Sequence, residues 1–278
     1  MVRSRSKLKR TLGTIFFILY IAIVVAPFLW LLITSIKDPL DISKIPTEII
    51  PSHFSVRFYE LCFTEHHLGI YLRNSIIVST VAMALSIFVA LPSAYAFARL
   101  QFKFKKFWQR FILVSNMFPI IAIITPMFII FKRIHLINTY WGLIIPSIIT
   151  VLPMAIWTMI AFLKTIPYDL EEAAMVDGCN RFHAVLRVVV PLAAPGVFTT
   201  GIIAFIAAWN EMMFSLLLVT RDNMRTVPVA ISMFPGEFSV PWGDMAAASI
   251  LSTLPIIIVV LICQRKIVAG LTTGAVKG

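Results

Sequence analysis

Six apolar stretches alternate with polar segments along the chain. Thr11–Ile36, Ser75–Ala98, Phe111–Phe131, Thr139–Leu163, Val188–Val219 and Met245–Cys263 carry almost no charge. Each is about 18 residues or longer, enough to cross a bilayer core as a helix. A lipid-exposed sheet is excluded, because each unpaired backbone group in hydrocarbon costs several kcal/mol. The pattern predicts an all-α polytopic membrane protein with six transmembrane helices. Pro92, Pro119, Pro126, Pro146, Pro153 and Pro255 fall within the spans. Each removes a backbone hydrogen bond and predicts a kink, which bundle neighbours can compensate.

Composition agrees with that pattern. Hydrophobic residues make up 59% of the 278, and the mean hydropathy is +0.92, against about 45–50% apolar in soluble domains. The first span follows a basic run, RSRSKLKR. It is longer than a signal-peptide core and lacks an A-x-A-like cleavage site, so it reads as a retained helix. Cys62, Cys179 and Cys263 show no metal-ligand spacing and receive no redox or metal role.

Charge orients the bundle. With six spans both termini share one face, and that face holds 16 of the 24 Lys and Arg residues. The other face holds seven, with Arg73 near a span end. The positive-inside rule places both termini in the cytoplasm. Net charge is +11, with 13 acids in all. On the cytoplasmic side the N-terminal arm, the 99–110 loop and the tail carry none. All four cytoplasmic acids, Asp169, Glu171, Glu172 and Asp177, lie in one stretch, DLEEAAMVDG.

That stretch predicts a short helix. Asp169 followed three residues later by Glu172 resembles a capping box, and Gly178 is a natural stop. Asn180 then caps a second helix, Arg181 to Val190, ending at Pro191. Two turns are not stable alone, so the first helix needs a surface to pack on. Ala173 and Ala174 give it a small-residue middle, and acids rim it. It suits a basic cleft on another protein, or it is a solvated connector between spans.

EAAMVDG, followed after nine residues by VVVP, resembles the EAA loop of ATP-binding-cassette importer permeases. Glu172, Ala173, Ala174, Gly178 and Pro191 fit that pattern in register, with Val188 and Val190 replacing Ile and Leu. The resemblance extends from Asn74 to the end. NSI (Asn74–Ile76), INTYWGLIIP (Ile137–Pro146), AWNE (Ala208–Glu211) and GLTTGAVKG (Gly270–Gly278) resemble segments of carbohydrate permeases. The lack of additional N-terminal spans and of a long outer insertion resembles the smaller permease subunit of maltose-type or trehalose-type importers.

The resemblance implies a type I importer permease fold in a prokaryotic inner membrane, with no bond chemistry of its own. It organises the chain into an arm, first helix and outer loop (1–70), a permease core (71–263) and a cytoplasmic tail (264–278). The implied partners are a larger permease subunit, a dimeric ATPase, an extracytoplasmic sugar-binding protein and membrane lipid, with no nucleic acid. Glu171, Glu172, Ala173, Ala174, Asp177 and Gly178 form the implied ATPase coupling site. Gly274, Lys277 and Gly278 of the tail are implied to reach between the ATPase subunits, although on composition alone a glycine-rich end reads as flexible. The chain has no Gly-Lys pair and hence no P-loop. It binds no cofactor of its own, and ATP and Mg belong to the partner ATPase.

Candidate pathway residues are Trp209, Asn210, Glu211, Asn74 and Asn116. Glu211 falls roughly 25 Å along its span at about 1.5 Å per residue, near the outer edge of the core. It lines a water-filled pathway or sits at the interface. Trp209 stacks on a sugar face or, more in keeping with interfacial Trp, anchors the helix. Asn74 and Asn116 line the pathway or make interhelical hydrogen bonds. His53, His66 and His67 in the outer segment read as solvated. The outer stretch FPGEFSVPWGD (Phe234–Asp244) resembles a loop that contacts the binding protein, or it caps its own bundle. An ion-driven transporter would need a relay of intramembrane ionisable groups, and only Glu211 qualifies. A membrane enzyme would need a His, Asp and Glu cluster at depth, which the sequence lacks. Maltodextrin, trehalose, other oligosaccharides and glycerol-phosphate esters remain open as solutes.

Overall fold

A computed structural model describes residues 2–42, 44, 48–234 and 240–275, the side chains of 2–11 and 265–275 excepted. Thirteen α-helices lie among the described residues, and no strand does. In order they are α1 (Val2–Ser35), α2 (Pro39–Ile42), α3 (Arg57–Thr64), α4 (Leu68–Arg99), α5 (Lys105–Ser115), α6 (Ile120–Arg133) and α7 (Tyr140–Thr165). Then come α8 (Asp169–Val176), α9 (Arg181–Ala184), α10 (Val190–Trp209), α11 (Met213–Leu218), α12 (Val227–Ser232) and α13 (Trp242–Ala275). Leu12–Ser35, Leu68–Arg99, Tyr140–Thr165, Arg181–Trp209 and Trp242–Gln264 are long and apolar enough to cross a membrane.

The third expected span is broken. Phe111–Phe131 reads as one apolar run, but α5 and α6 meet at 94°. Pro119 caps α6 in an extended conformation, and a residue before proline is pushed out of the α region. The fifth span is also interrupted. Val188–Val219 reads as continuous, yet α10 ends at Trp209 and α11 begins at Met213. The expected stop at Pro191 does not occur. Instead Val185–Val189 widens into a π turn, and α10 starts at Val190. Proline lacks the N–H for the carbonyl four residues back and crowds it, and a π segment absorbs such a mismatch without ending the helix. The last helix runs past Cys263 to Ala275, so Gly274 lies in helical backbone.

Among the described residues, 69–232 and 255–275 form one compact unit. Its core is built by α4, α7 and α10: Ala90, Ala94 and Phe97 meet Ile156, Met159, Ile160, Leu163, Ala193 and Ala204. Lipid is as apolar as leucine, so helices associate here through close packing of small residues. Gly196 shows the principle, since a Cβ there would lie 2.5 Å from the Phe162 ring. Gly142 is tighter. Its absent Cβ would lie 2.2 Å from the Leu136 carbonyl oxygen, a backbone atom that cannot rotate away. Gly142→Ala is therefore expected to cost about 1–3 kcal/mol through overpacking. A lowered thermal midpoint of the detergent-solubilised protein checks this, and an unchanged one contradicts it.

The second unit comprises the described residues within 2–68 and 233–254. Cys62 is fully buried in α3. Burial first, then the charge of Asp244, pushes its thiol up to about 11, so it is not a thiolate at neutral pH. His66, expected to be solvated, is instead mostly covered. Its Nε2 lies 3.5 Å from Asp244 Oδ2, and its ring stacks on Phe234 at 4.1 Å. The adjacent His67 is exposed.

Candidate functional site: the loop between α7 and α10

The acidic stretch folds as a helix, with a different cap from the one expected. Tyr168 is the N-cap and makes no side-chain capping bond, while Asp169 is already helical. The capping box is absent; Asp169 and Glu172 instead place negative charge in the first turn, where the helix dipole favours it. At the other end Gly178 has φ +94°. The Gly178 N–H donates to the Met175 carbonyl at 3.1 Å, and the Cys179 N–H donates to Ala174 at 3.0 Å. That pair of bonds is a Schellman closure, which needs a left-handed residue and therefore favours glycine. Asn180 then caps α9 as expected, its Oδ1 accepting from the His183 N–H at 2.9 Å.

The four acids do not share one face. Asp169, Glu172 and Asp177 are exposed, as are Ala173 and Gly178, while Ala174 is half-buried. Val176 is 86% exposed, so an apolar tip stands among the acids. Glu171 is turned inward and only 1% exposed. The Tyr95 hydroxyl donates to its Oε1, and Arg99 Nε lies 3.8 Å from its Oε2. Arg99 is itself held, donating to the Ile166 carbonyl at 2.5 Å and lying over the Tyr168 ring at 5.6 Å. Glu171 therefore does not belong to the exposed acidic rim, because neighbouring residues on a helix point about 100° apart. Tyr95 and Arg99 were not anticipated. The available signal was an aromatic hydroxyl and a cation one turn apart at the cytoplasmic end of the second apolar stretch.

The pathway candidates are scattered. Asn74 is fully buried. Its Nδ2 donates to the carbonyls of Asn223 and Arg225, each at 2.9 Å. Its Oδ1 accepts from the Tyr140 hydroxyl at 2.8 Å. With all its polar atoms engaged inside the chain, Asn74 is an interhelical staple and lines no pathway. Tyr71, donating to Asp222 at 2.7 Å, and Ser75 Oγ, accepting from the Val227 N–H at 2.9 Å, secure the same loop. Trp209 is 3% exposed and packs on Phe205 at 5.6 Å. It is a core residue of this unit, neither an exposed stacking platform nor an interfacial anchor.

Glu211 sits in the break between α10 and α11. Its carboxylate accepts from the Phe214 N–H at 2.8 Å and the Ser215 N–H at 3.2 Å, capping α11. A helix N-terminus is a favourable place for such a charge. Asn210 beside it is exposed. Asn116 is exposed in the break between α5 and α6. It borders an apolar cavity of about 410 Å³ with Phe111, Ile123, Thr150 and Pro153. Asn138 emerges as a further structural residue. At φ +59° its Oδ1 accepts from the Thr220 and Arg221 N–H groups at 2.7 and 2.9 Å. Lys277, Gly278 and part of the outer loop, 235–239, lie outside the described residues.

Residues 82–273 match the family described as binding-protein-dependent transport system inner membrane component. A trehalose/maltose transport system permease protein of Thermococcus litoralis is 36% identical, covering 98% of both chains. A trehalose transport system permease protein of Mycobacterium tuberculosis is 42% identical over 91% of this chain and 92% of its own. A sulfoquinovosyl glycerol transport system permease protein of Agrobacterium fabrum is 37% identical over 91% of this chain and 88% of its own. Among solved structures, a chain of a bacterial ABC transporter involved in alginate import superimposes with a TM-score of 0.78. At 18% identity it covers 93% of this chain and 96% of that one, a likeness of fold.

Proposed function

The chain belongs to the binding-protein-dependent transport system inner membrane component family, the permeases of ABC importers, and from that premise we propose that it is one permease subunit of an ATP-driven sugar importer. The observation that carries this reading is the surface of α8. Glu172, Ala173, Val176 and Asp177 stand exposed on a two-turn helix, and a Schellman turn fixes its end. A small-residue face with an apolar tip and anionic rim suits a basic cleft of a separate ATPase. That ATPase holds ATP and Mg and performs the hydrolysis; this chain supplies half of the pathway and the lever. The Lys and Arg bias supports a cytoplasmic position for α8 and both termini. The pathway lies between this subunit and a larger permease partner, and a binding protein delivers solute to the outer loops, including 234–244. The tail residues Gly274, Lys277 and Gly278 add a second ATPase contact.

The relatives named for trehalose, maltose and sulfoquinovosyl glycerol support a sugar or glycoside as solute, with trehalose and maltose the first to test. Reconstitution with the ATPase, the second permease and the binding protein in proteoliposomes provides that test. Uptake of the labelled sugar that requires both ATP and the binding protein is expected. Uptake driven by an ion gradient without ATP contradicts the reading.

Asn210, Glu211 and Asn116 are the residues proposed to line the pathway. Glu211→Ala removes a carboxylate and a helix cap, the latter worth about 1 kcal/mol. It is expected to lower transport several-fold more than membrane abundance, whereas Glu211→Gln, which keeps a capping oxygen, retains abundance. Normal kinetics in Glu211→Ala at normal abundance contradicts a pathway role.

A further inference from the structure

The geometry points to Glu171, with Tyr95 and Arg99, as the joint that carries movement of α8 into α4. This inference rests on the reading of α8 as the ATPase-facing helix. The backbone ties α8 to α7 on one side and, through α9 and the π turn, to α10 on the other. Movement of α8 therefore reaches those two spans through the chain itself. α4 lies some seventy residues earlier in sequence; it shares a core with α7 and α10, but it needs side-chain contacts of its own to be linked directly to α8. Glu171 supplies that link: it is the one acid of the stretch that is enclosed, and it meets α4 at Tyr95 and Arg99, one turn apart.

The link is strong and has some travel. Removing one partner of a buried ion pair is strongly destabilising, because the other charge is left uncompensated, so Arg99 and Glu171 stay together. At 3.8 Å the Nε and Oε2 atoms are attracted by charge, yet neither has a hydrogen-bond partner. Such a pair tolerates a small shift of α8 without parting. Arg99 is steadied from behind by the Ile166 carbonyl and the Tyr168 ring, both just before α8, so the joint grips α8 at its entrance as well as on its buried face. Glu171 thus acts as a positioning residue through α4 and leaves ATPase contact to its neighbour Glu172.

The test uses the reconstituted importer and compares Glu171→Gln, Tyr95→Phe and their combination with Glu172→Lys. The readouts are ATPase co-purification and the ratio of solute imported to ATP hydrolysed. A role confined to stability changes abundance and leaves that ratio alone. Glu171→Gln is expected to retain the ATPase while solute per ATP falls about tenfold, within the range usual for coupling between two sites. Tyr95→Phe is expected to fall in the same direction, and the double variant to fall less than the product of the singles. Should Glu171→Gln fail to accumulate, Tyr95→Phe keeps the ring and reads the same ratio. An unchanged ratio in both single variants overturns the joint. Loss of the ATPase in Glu171→Gln to the extent seen in Glu172→Lys also overturns it, because Glu171 then docks. Retention of the ATPase and full uptake in Glu172→Lys instead removes the docking reading beneath it, a separate result.

Discussion

Glu172→Lys is expected to leave the permease in the membrane and strip it of its ATPase. Glu172 is exposed in the first turn of α8, so reversing its charge disturbs little inside the chain. Against a basic cleft, by contrast, like charge costs several kcal/mol, about a hundredfold in affinity or more. Gly178→Asp reaches the same end by another route. No atom crowds a Cβ at Gly178, but φ is +94°, and a left-handed residue other than glycine costs roughly 1–2 kcal/mol. The Schellman turn that sets the angle between α8 and α9 is then strained. Co-purification of the ATPase and uptake are both expected to collapse in Glu172→Lys and to fall in Gly178→Asp. Wild-type values of both in either variant speak against docking at this helix.

The second large effect is on stability. Asn74→Leu removes two bonds to the Asn223 and Arg225 carbonyls and one from the Tyr140 hydroxyl. Asn74 itself is fully enclosed and its three bonds are part-buried, so each partner that water does not reach is left unpaired, at about 1–3 kcal/mol. A total loss of roughly 3 kcal/mol or more is expected. It should appear as a much lower thermal midpoint and a protease-sensitive outer loop around 220–227. Tyr140→Phe, which deletes one of the three bonds, is expected to show about a third of the loss. Equal stability of Asn74→Leu and the parent protein contradicts the staple.

The spans were legible because uncharged runs of membrane length have few other uses. Their interruptions were not, and composition explains why. Met117 and Phe118 keep the break before Pro119 apolar, and Met212 and Met213 do the same after Glu211. A hydropathy pattern therefore passes through both. Gly178 and Asn180 were readable because caps are local chemistry, set by a residue and its next few neighbours. Asp169 was misread as a cap because Tyr168, with no capping side chain, takes that position. The inward turn of Glu171 depends on what lies opposite α8, and Tyr95 and Arg99 are too distant in sequence for any local pattern to pair them with it. Trp209 failed as an anchor for the same reason: its partner, Phe205, and its enclosure are tertiary facts.

The claim on which the rest depends is that α8 meets a separate ATPase while solute is moving. A photoreactive side chain installed at Val176, the exposed tip of that helix, reads this directly in the reconstituted importer during turnover. Covalent capture of the ATPase subunit, changing in yield between ATP-bound and nucleotide-free states, is the expected result. Capture of lipid or of this chain alone, in every nucleotide state, contradicts it.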